Sequence, residues 1–135
     1  MNALRWQYVK PLKDSGTITR LASEMGVTLS ADLVDCLILN NGGRPDRKSF
    51  DTDRAKERVM KSLLSFNKDD RGAAFAVIDA LKGVKEKLFP FASDPGGNYL
   101  CVNASGEIVL WFHEMNSIEY VASNFEAFIS GLYNA

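Results

Sequence analysis

Two predicted β-strands joined by a short turn constrain the fold of this chain more than any other feature of its sequence. Residues 98–102 and 107–113 are largely apolar runs, and they flank residues 103–106, which end in a glycine where a type I hairpin turn favours one. In the second run, apolar residues occupy both alternating sets of positions, so both faces of that strand must be covered. The chain therefore needs a sheet with other elements packed on each side.

Two amphipathic helices are predicted near the start of the chain. Ser15 is a candidate N-cap for the first helix, which Gly26 is placed to end. Ser30 is a candidate N-cap for the second helix, which ends at residues 40–43, where Asn and Gly tolerate a left-handed backbone. The apolar stripes at helical spacing are Ile18, Leu21, Ala22 and Met25 in the first helix and Leu33, Val34, Leu37 and Ile38 in the second.

The middle of the chain has a weaker pattern. Residues 44–58 are polar and indicate a loop with one short strand near Phe50. Residues 59–66 fit a strand or a helix, and the turn predicted at residues 67–70 favours the strand. A third helix is predicted from residue 71 to about residue 85, because apolar residues recur there with a period of 3.6.

The last third adds strands and a closing helix. Residues 88–92 predict a short strand, residues 93–97 a turn, and residues 118–121 a further extended segment. Residues 123–126 have the pattern of a capping box. The apolar stripe of the closing helix consists of Phe125, Phe128, Ile129 and Leu132. Helices at both ends and in the middle, around a mainly antiparallel sheet, predict a single α+β domain over residues 1–135.

The composition excludes several classes of protein. Hydrophobic residues make up 46% and charged residues 24%, which excludes a disordered tail, a collagen and a coiled coil. Cys36 and Cys101 cannot form a disulfide framework, and one histidine without a nearby cysteine does not make a common zinc site, so both thiols are expected to be reduced core residues. With no bilayer-spanning apolar stretch and no signal-peptide pattern, a cytoplasmic location is expected.

Charge is distributed unevenly along the chain. All 16 Lys and Arg lie at or before Lys87, together with 12 carboxylates, whereas residues 88–135 hold five carboxylates and no Lys or Arg. This asymmetry predicts an acidic surface that attracts a basic partner. The alternative is a solvated face that binds nothing.

The residue types and their spacing give little support for catalysis or DNA binding. An acid–base trio of His113, Glu114 and Asp94 can be imagined, but adjacent residues on a strand point to opposite faces, so the first two would not act together. No nucleophile elbow or phosphate-binding loop is present. Residues 18–37 have the spacing of a helix-turn-helix, but residues 21–43 contain no Lys or Arg for phosphate contacts.

Aromatic residues outside the helices are candidates for either core packing or an interface. Trp111 lies on the predicted central strand and is expected to pack in the core. Trp6 and Tyr8 lie outside the periodic elements and are expected to pin the N-terminal segment to the body of the domain.

Three segments together resemble the SUKH superfamily, which includes bacterial toxin-immunity proteins and the Smi/Knr-type regulators of fungal cell-wall assembly. They are residues 39–45 (LNNGGRP), 88–101 (LFPFASDPGGNYLC) and 108–114 (IVLWFHE). Their order and spacing match the superfamily, and the closing Phe-Glu-x-Phe-Ile segment at residues 125–129 is also similar. The resemblance spans most of residues 15–132 and leaves residues 46–87 poorly matched.

The resemblance implies an α+β domain with a central antiparallel sheet, no cofactor and no catalytic activity, which works by binding another protein. For a bacterial member it implies a cytoplasmic immunity protein that neutralises a cognate polymorphic toxin, often a nuclease or a deaminase. A regulatory scaffold of the cell-wall assembly type is the main alternative to an immunity protein. Helix-turn-helix DNA binding is a second and weaker alternative. Neither a nucleic acid nor a membrane is expected as a partner, and the oligomeric state stays open.

A partner-binding surface is expected in the acidic part of the chain. A toxin that grips nucleic acid commonly has a cationic site, and carboxylates that mask it would speed association. The candidate residues are Asp94, Asn98, Glu107, Glu114 and Glu119. The superfamily often has Asp, within a Trp-Asp-His-Glu pattern, where this chain has Phe112.

Overall fold

The computed structural model describes residues 4–71 and 73–135. The helices of this part are α1 (Thr17–Met25), α2 (Ala31–Leu39), α3 (Ala74–Leu81) and α4 (Phe125–Gly131). Its strands are β1 (Trp6–Gln7), β2 (Arg44–Pro45), β3 (Ser49–Phe50), β4 (Arg58–Val59), β5 (Ser62–Leu63), β6 (Leu88–Ser93), β7 (Tyr99–Asn103), β8 (Ile108–Phe112) and β9 (Ser117–Ala122). Residues 1–3, at the start of the chain, and Gly72, within the predicted third helix, lie outside the described residues.

Five strands form one antiparallel sheet in the order β5-β6-β7-β8-β9, while β1 pairs with β2 and β3 with β4. Tyr99 lies opposite Trp111 across β7 and β8, and Trp111 lies opposite Ile118 across β8 and β9. The predicted hairpin is β7–β8, and Gly106 in its turn has a φ of 83°, a left-handed backbone that favours glycine. The α+β fold predicted from the sequence is confirmed.

Strand β8 has both of its faces covered, as its apolar pattern predicts. Leu110 and Trp111 point to opposite faces of the sheet, yet their residues are only 0% and 3% exposed. The hydrophobic cluster also includes Leu100 on β7, Leu33 on α2 and Ile78 on α3. One continuous core therefore contains residues from the sheet and the helices.

The closing helix α4 docks on the sheet through phenylalanine rings. Phe91 on β6 makes edge-to-face contacts with Phe125 and Phe128, with ring centroids 5.7 and 5.8 Å apart. Burying each ring stabilises the fold by about 2–3 kcal/mol. The helix is capped by Asn124, whose Oδ1 accepts a hydrogen bond from the Ala127 amide at 2.7 Å, so the predicted capping box at Ser123 is shifted by one residue.

The two N-terminal helices begin differently from each other. Ser30 caps α2 as predicted, because its Oγ accepts a hydrogen bond from the Leu33 amide at 3.2 Å. Ser15 does not cap α1: the N-cap position is Gly16, which has helical dihedral angles and whose amide donates to Asp14 Oδ1 at 3.0 Å. The prediction of a Ser15 cap is wrong because Asp14 accepts the amides at the helix start: its Oδ1 accepts from Gly16 and its carbonyl from Thr17.

Replacing each serine by alanine tests whether it caps its helix. Ser30→Ala lowers the free energy of unfolding by about 1 kcal/mol, since it removes a hydrogen bond to an otherwise unsatisfied helix amide. Ser15→Ala is the matched control, and it changes the free energy of unfolding by less than about 0.5 kcal/mol. Urea denaturation of both variants measures the difference, and equal losses would contradict the assigned caps.

The middle of the chain follows its predictions only in part, because residues 44–58, predicted as a loop with one short strand, also contain β2 and the start of β4. Strand β3 lies at the predicted position near Phe50, and β5 shows that residues 59–66 are extended rather than helical. Helix α3 is shorter than predicted at both ends. It begins at Ala74 because Ala73 is extended and forms a β-bridge with Ser65, and it ends at Leu81 in a turn.

Trp6 and Tyr8 differ in their contacts. Trp6 in β1 pairs with Pro45 and packs half-buried against the core, as expected. Tyr8 is 72% exposed, so the prediction that it pins the N-terminal segment is wrong. Its φ of 58° turns the chain just after β1, and its ring lies outside the core.

A buried polar network holds the N-terminal segment instead. Asn41 is fully buried, and its Nδ2 donates to the Lys10 carbonyl at 2.9 Å and to Ser65 Oγ at 3.2 Å. Its Oδ1 accepts from the Phe66 amide at 2.8 Å. Three separate stretches of chain are joined by this one side chain.

Asn67 extends the network along the same segment. Its Oδ1 accepts from the Lys13 amide at 2.9 Å, and its Nδ2 donates to the Pro11 carbonyl at 2.9 Å and to Asp70 Oδ2 at 3.1 Å. The Ser65 hydroxyl donates to the same Asp70 oxygen at 2.6 Å. Residues 10–13 are therefore attached to the domain by these side-chain amides together with Leu12, which packs half-buried against the core.

Candidate functional site

Two turns lie side by side at one end of the five-stranded sheet. The β6–β7 turn (residues 94–98) and the β8–β9 turn (residues 113–116) both extend beyond the paired positions Tyr99 and Trp111. The His113 ring lies against them, with its Cε1 only 3.7 Å from where a Cβ on Gly97 would stand. We call residues 94–98 and 113–116 the turn pair.

Asp94 and Asn98 fix the first turn. Asp94 Oδ1 accepts from the Asn98 amide at 2.7 Å, and Oδ2 accepts from Asn98 Nδ2 at 3.2 Å. The Asp94 amide in turn donates to the Asn98 carbonyl at 2.9 Å. Asp94 therefore shapes the turn with its carboxylate and is itself partly exposed.

The second turn presents an acidic and an apolar side chain to solvent. Glu114 is exposed, and Met115 beside it is 72% exposed. Trp111 Nε1 donates to Asn116 Oδ1 at 3.0 Å, which ties the turn to a buried ring. Asn116 has a φ of 49°, a left-handed conformation that asparagine tolerates well. A rigid base thus supports two exposed side chains of different chemistry.

Glu107 lies at the opposite end of the sheet, in the β7–β8 turn. Its Oε1 accepts from Asn103 Nδ2 at 3.0 Å, and its amide donates to Asn103 Oδ1 at 2.9 Å. It is therefore separated from the turn pair by the length of β8.

Glu119 on β9 is engaged inside the protein. It forms a two-pronged ion pair with Arg58, from Nε to Oε1 at 2.9 Å and from Nη2 to Oε2 at 2.8 Å. Thr52 Oγ1 also donates to Oε1 at 2.6 Å. Burial raises the pKa of the Glu119 carboxyl, but these hydrogen bonds and the positive charges of Arg58 and Arg54 outweigh it, so the pKa is lowered overall.

Phe112 takes part in the same arrangement. The Arg58 guanidinium lies 5.0 Å from the centre of the Phe112 ring, a cation–π contact. At the position where the superfamily often has Asp, this chain therefore places an aromatic ring over the cation of an internal ion pair.

The five candidate residues do not share one surface. Asp94, Asn98 and Glu114 lie at the turn pair, Glu107 lies at the other end of the sheet, and Glu119 is paired with Arg58. The fold places Arg58 from the first half of the chain next to Glu119 from the second half, so Glu119 does not add an unpaired negative charge to an acidic surface.

The acid–base trio considered from the sequence is not assembled. Among the hydrogen bonds of residues 4–71 and 73–135, none joins His113 to Asp94 or Glu114, and the ring of His113 lies 6.2 Å from the ring centres of Tyr99 and Trp111. In the same residues, no group of three His, Cys, Asp or Glu side chains could hold a metal ion.

Both cysteines are free thiols. Cys101 is fully buried, and burial raises the pKa of its thiol far above the ordinary range. Burial also raises the pKa of the half-buried Cys36 to about 11, against a weaker lowering by a contact from Asn40. Both thiols are therefore protonated and poorly nucleophilic near neutral pH, in agreement with a core role.

A groove of about 1070 Å³ runs beside the β6–β7 turn, and the sequence reasoning missed it. Its walls come from the β1–β2 region, strand β5, residues 68–71, the first half of α3 and the β6–β7 turn. Because these segments are far apart in the chain, no local motif marks the groove.

Comparison with known proteins identifies the family. A family model described as SMI1 / KNR4 family (SUKH-1) matches residues 14–131, including the stretch 46–87 that the three resembling segments leave out. No curated protein matches the chain. No helix in the described part of the chain is long and apolar enough to cross a membrane. Since the family match covers most of the domain, the chain belongs to the SMI1/KNR4 family (SUKH-1).

Proposed function

We propose that this chain is a non-catalytic protein-binding module, an immunity protein that binds and neutralises a cognate polymorphic toxin of the nuclease or deaminase type in the bacterial cytoplasm. Its membership of the SUKH-1 family supports a role in protein binding. The observation that carries the proposal is the turn pair, where Glu114 and Met115 are exposed on a turn anchored by Trp111.

The chemistry of the turn pair suits a protein partner with a basic site. Met115 offers a flexible apolar contact, and such side chains adapt to irregular partner surfaces. Asp94 on the first turn and Glu114 on the second add negative charge to the turn pair. Opposite charge on a nucleic-acid-processing toxin would speed encounter more than it would strengthen the final complex. The partner surface proposed here therefore contains Asp94, Asn98 and Glu114.

Co-expression with the toxin domain encoded beside this gene tests the proposal. The chain is expected to restore growth and to be recovered in a complex with the toxin. Glu114→Lys is expected to weaken binding about tenfold, mainly through a slower association rate, and to flatten its dependence on salt. Glu107→Lys is the matched control, since it makes the same charge change at the opposite end of the sheet, and its binding should stay within about twofold.

Each result has a distinct meaning. Equal weakening by both variants would contradict a binding surface at the turn pair and favour a general charge effect. A folded chain that neither binds the toxin nor restores growth would overturn the immunity role and favour the regulatory scaffold.

A further inference from the structure

The groove beside the β6–β7 turn is lined by more positive than negative side chains. Its lining includes the five cationic residues Lys10, Arg44, Lys61, Lys68 and Arg71. All five side chains belong to exposed residues. None of them takes part in the ion pairs found among residues 4–71 and 73–135. Against the three carboxylates in the same lining, Asp70, Asp79 and Asp94, these five cations leave the groove with a formal net charge of +2.

The carboxylates in the same groove are already engaged. Asp70 accepts hydrogen bonds from Ser65 and Asn67, and Asp94 accepts from Asn98. Asp79 forms an ion pair with Lys82 at 3.4 Å. The Asp79 charge is thus paired with Lys82, and neutral donors fix the Asp70 and Asp94 carboxylates in place without removing their charge.

Tyr8 provides an aromatic contact at the wall of the groove. Its ring is 72% exposed, and the Arg44 guanidinium lies 5.4 Å from the ring centre. Its left-handed φ of 58° is a conformation that aromatic residues rarely adopt. Exposed Tyr and Arg are the residue types that most often dominate binding energy at interfaces, and strained residues cluster at binding sites.

We propose that this groove binds an extended acidic segment of a protein partner, with the Tyr8–Arg44 pair and the surrounding lysines and arginines as its contacts. The inference rests on the proposed role of the chain as a protein-binding module. It adds a contact of opposite charge next to the turn pair, which borders the groove at Asp94, Pro95 and Gly97. Half-buried Phe75 and Tyr99 in the groove lining offer apolar surface for side chains between the acids of such a segment. A nucleic acid fits less well, because the whole chain carries a net charge of −1, whereas domains that bind nucleic acid are usually strongly basic.

A labelled peptide tests the groove without the toxin. The probe is a fluorescein-labelled decapeptide of five Glu, four Ser and one Tyr, and fluorescence anisotropy measures its binding to the full chain. Binding is expected for the wild type and should fall steeply with added salt. The double variant Lys61→Glu/Arg71→Glu is expected to weaken it at least about tenfold, and Tyr8→Ala about threefold.

A control double variant outside the groove tests whether the loss of peptide binding is specific to the groove. Lys56→Glu/Lys85→Glu makes the same change in net charge at exposed residues outside the groove and is expected to leave peptide binding within about twofold. Circular dichroism verifies that each variant is folded. Equal weakening by both double variants, or no peptide binding at all, would overturn the inference. Tighter binding of a labelled ten-residue oligothymidylate than of the peptide would assign the groove to nucleic acid and overturn it as well.

The test separates this inference from the function on which it rests. Glu114→Lys alters the turn pair and is expected to leave peptide binding unchanged while it weakens the toxin complex. Toxin binding without peptide binding would reject the groove and retain the immunity role. Peptide binding without toxin binding would retain the groove as an acidic-segment site and reject the immunity role.

Discussion

Asn41→Ala is expected to lower the free energy of unfolding by about 4 kcal/mol, a loss usually associated with truncating a large core side chain. The substitution removes the hydrogen bonds to the Lys10 carbonyl, to Ser65 Oγ and from the Phe66 amide. Each buried group that loses its partner costs about 1–3 kcal/mol, because water cannot replace the missing bond. The effect should appear as a lower urea midpoint with an unchanged slope.

Asn40→Ala is the control for this prediction. Asn40 precedes Asn41 in the same turn and is half-buried, but its side chain makes a weak contact of 3.8 Å from Nδ2 to Cys36 Sγ. Asn40→Ala is therefore expected to lower the free energy of unfolding by less than about 1 kcal/mol. Similar losses of unfolding free energy in the two variants would show that stability depends on the turn as a whole and that the Asn41 side chain has no special role.

Much of the fold could be predicted because its signals are local. The β7–β8 hairpin needs residues within a few positions of each other, and the double apolar alternation of β8 directly indicates two covered faces. The stripes of α1, α2 and α4 are equally local. Capping was less predictable, since one residue decides between Ser15 and Gly16, and several short polar residues compete at each helix start.

The binding surfaces and the polar network depend on contacts between distant residues. Asn41 looks like an ordinary helix-ending residue, and its contacts to Lys10 and Phe66 follow from the tertiary fold alone. Glu119 looks like a free surface acid, yet its partner Arg58 lies 61 residues earlier. The groove combines five cations from three parts of the chain. Sequence patterns describe neighbours along the chain, so they could not distinguish Glu114, which is exposed, from Glu119, which is paired with Arg58.

The Arg58–Glu119 ion pair is expected to contribute more than a surface ion pair does. Glu119→Ala should lower the free energy of unfolding by about 2–3 kcal/mol, since it leaves Arg58 and the Thr52 hydroxyl without their acceptor. In a double-mutant cycle with Arg58→Ala, the coupling energy should be about 1.5 kcal/mol near neutral pH. The two side chains are only 29% and 13% exposed, so solvent screens them less than a surface pair.

The exposed pair Lys82–Asp79 is the control in the same molecule. Its side chains are 62% and 75% exposed, and its coupling energy in the same kind of cycle should be below about 0.5 kcal/mol. Coupling energies of equal size in the two cycles would contradict the internal role of Glu119.

Acid should remove the coupling between Arg58 and Glu119. The pKa of Glu119 is lower in the folded chain than its ordinary value, so folding favours the ionised carboxylate. This contribution is fully present above the ordinary pKa of about 4.3 and is lost as the pH falls through the lower folded-state pKa. Asp51 and Asp70 also have lowered pKa values and contribute to acid unfolding, but their effects cancel in the cycle. Repeating the cycle between pH 7 and pH 3 should therefore show a coupling energy that is constant above about pH 5 and falls below it. A coupling energy that did not change over this range would mean that the contact between Arg58 and Glu119 does not depend on the charge of Glu119.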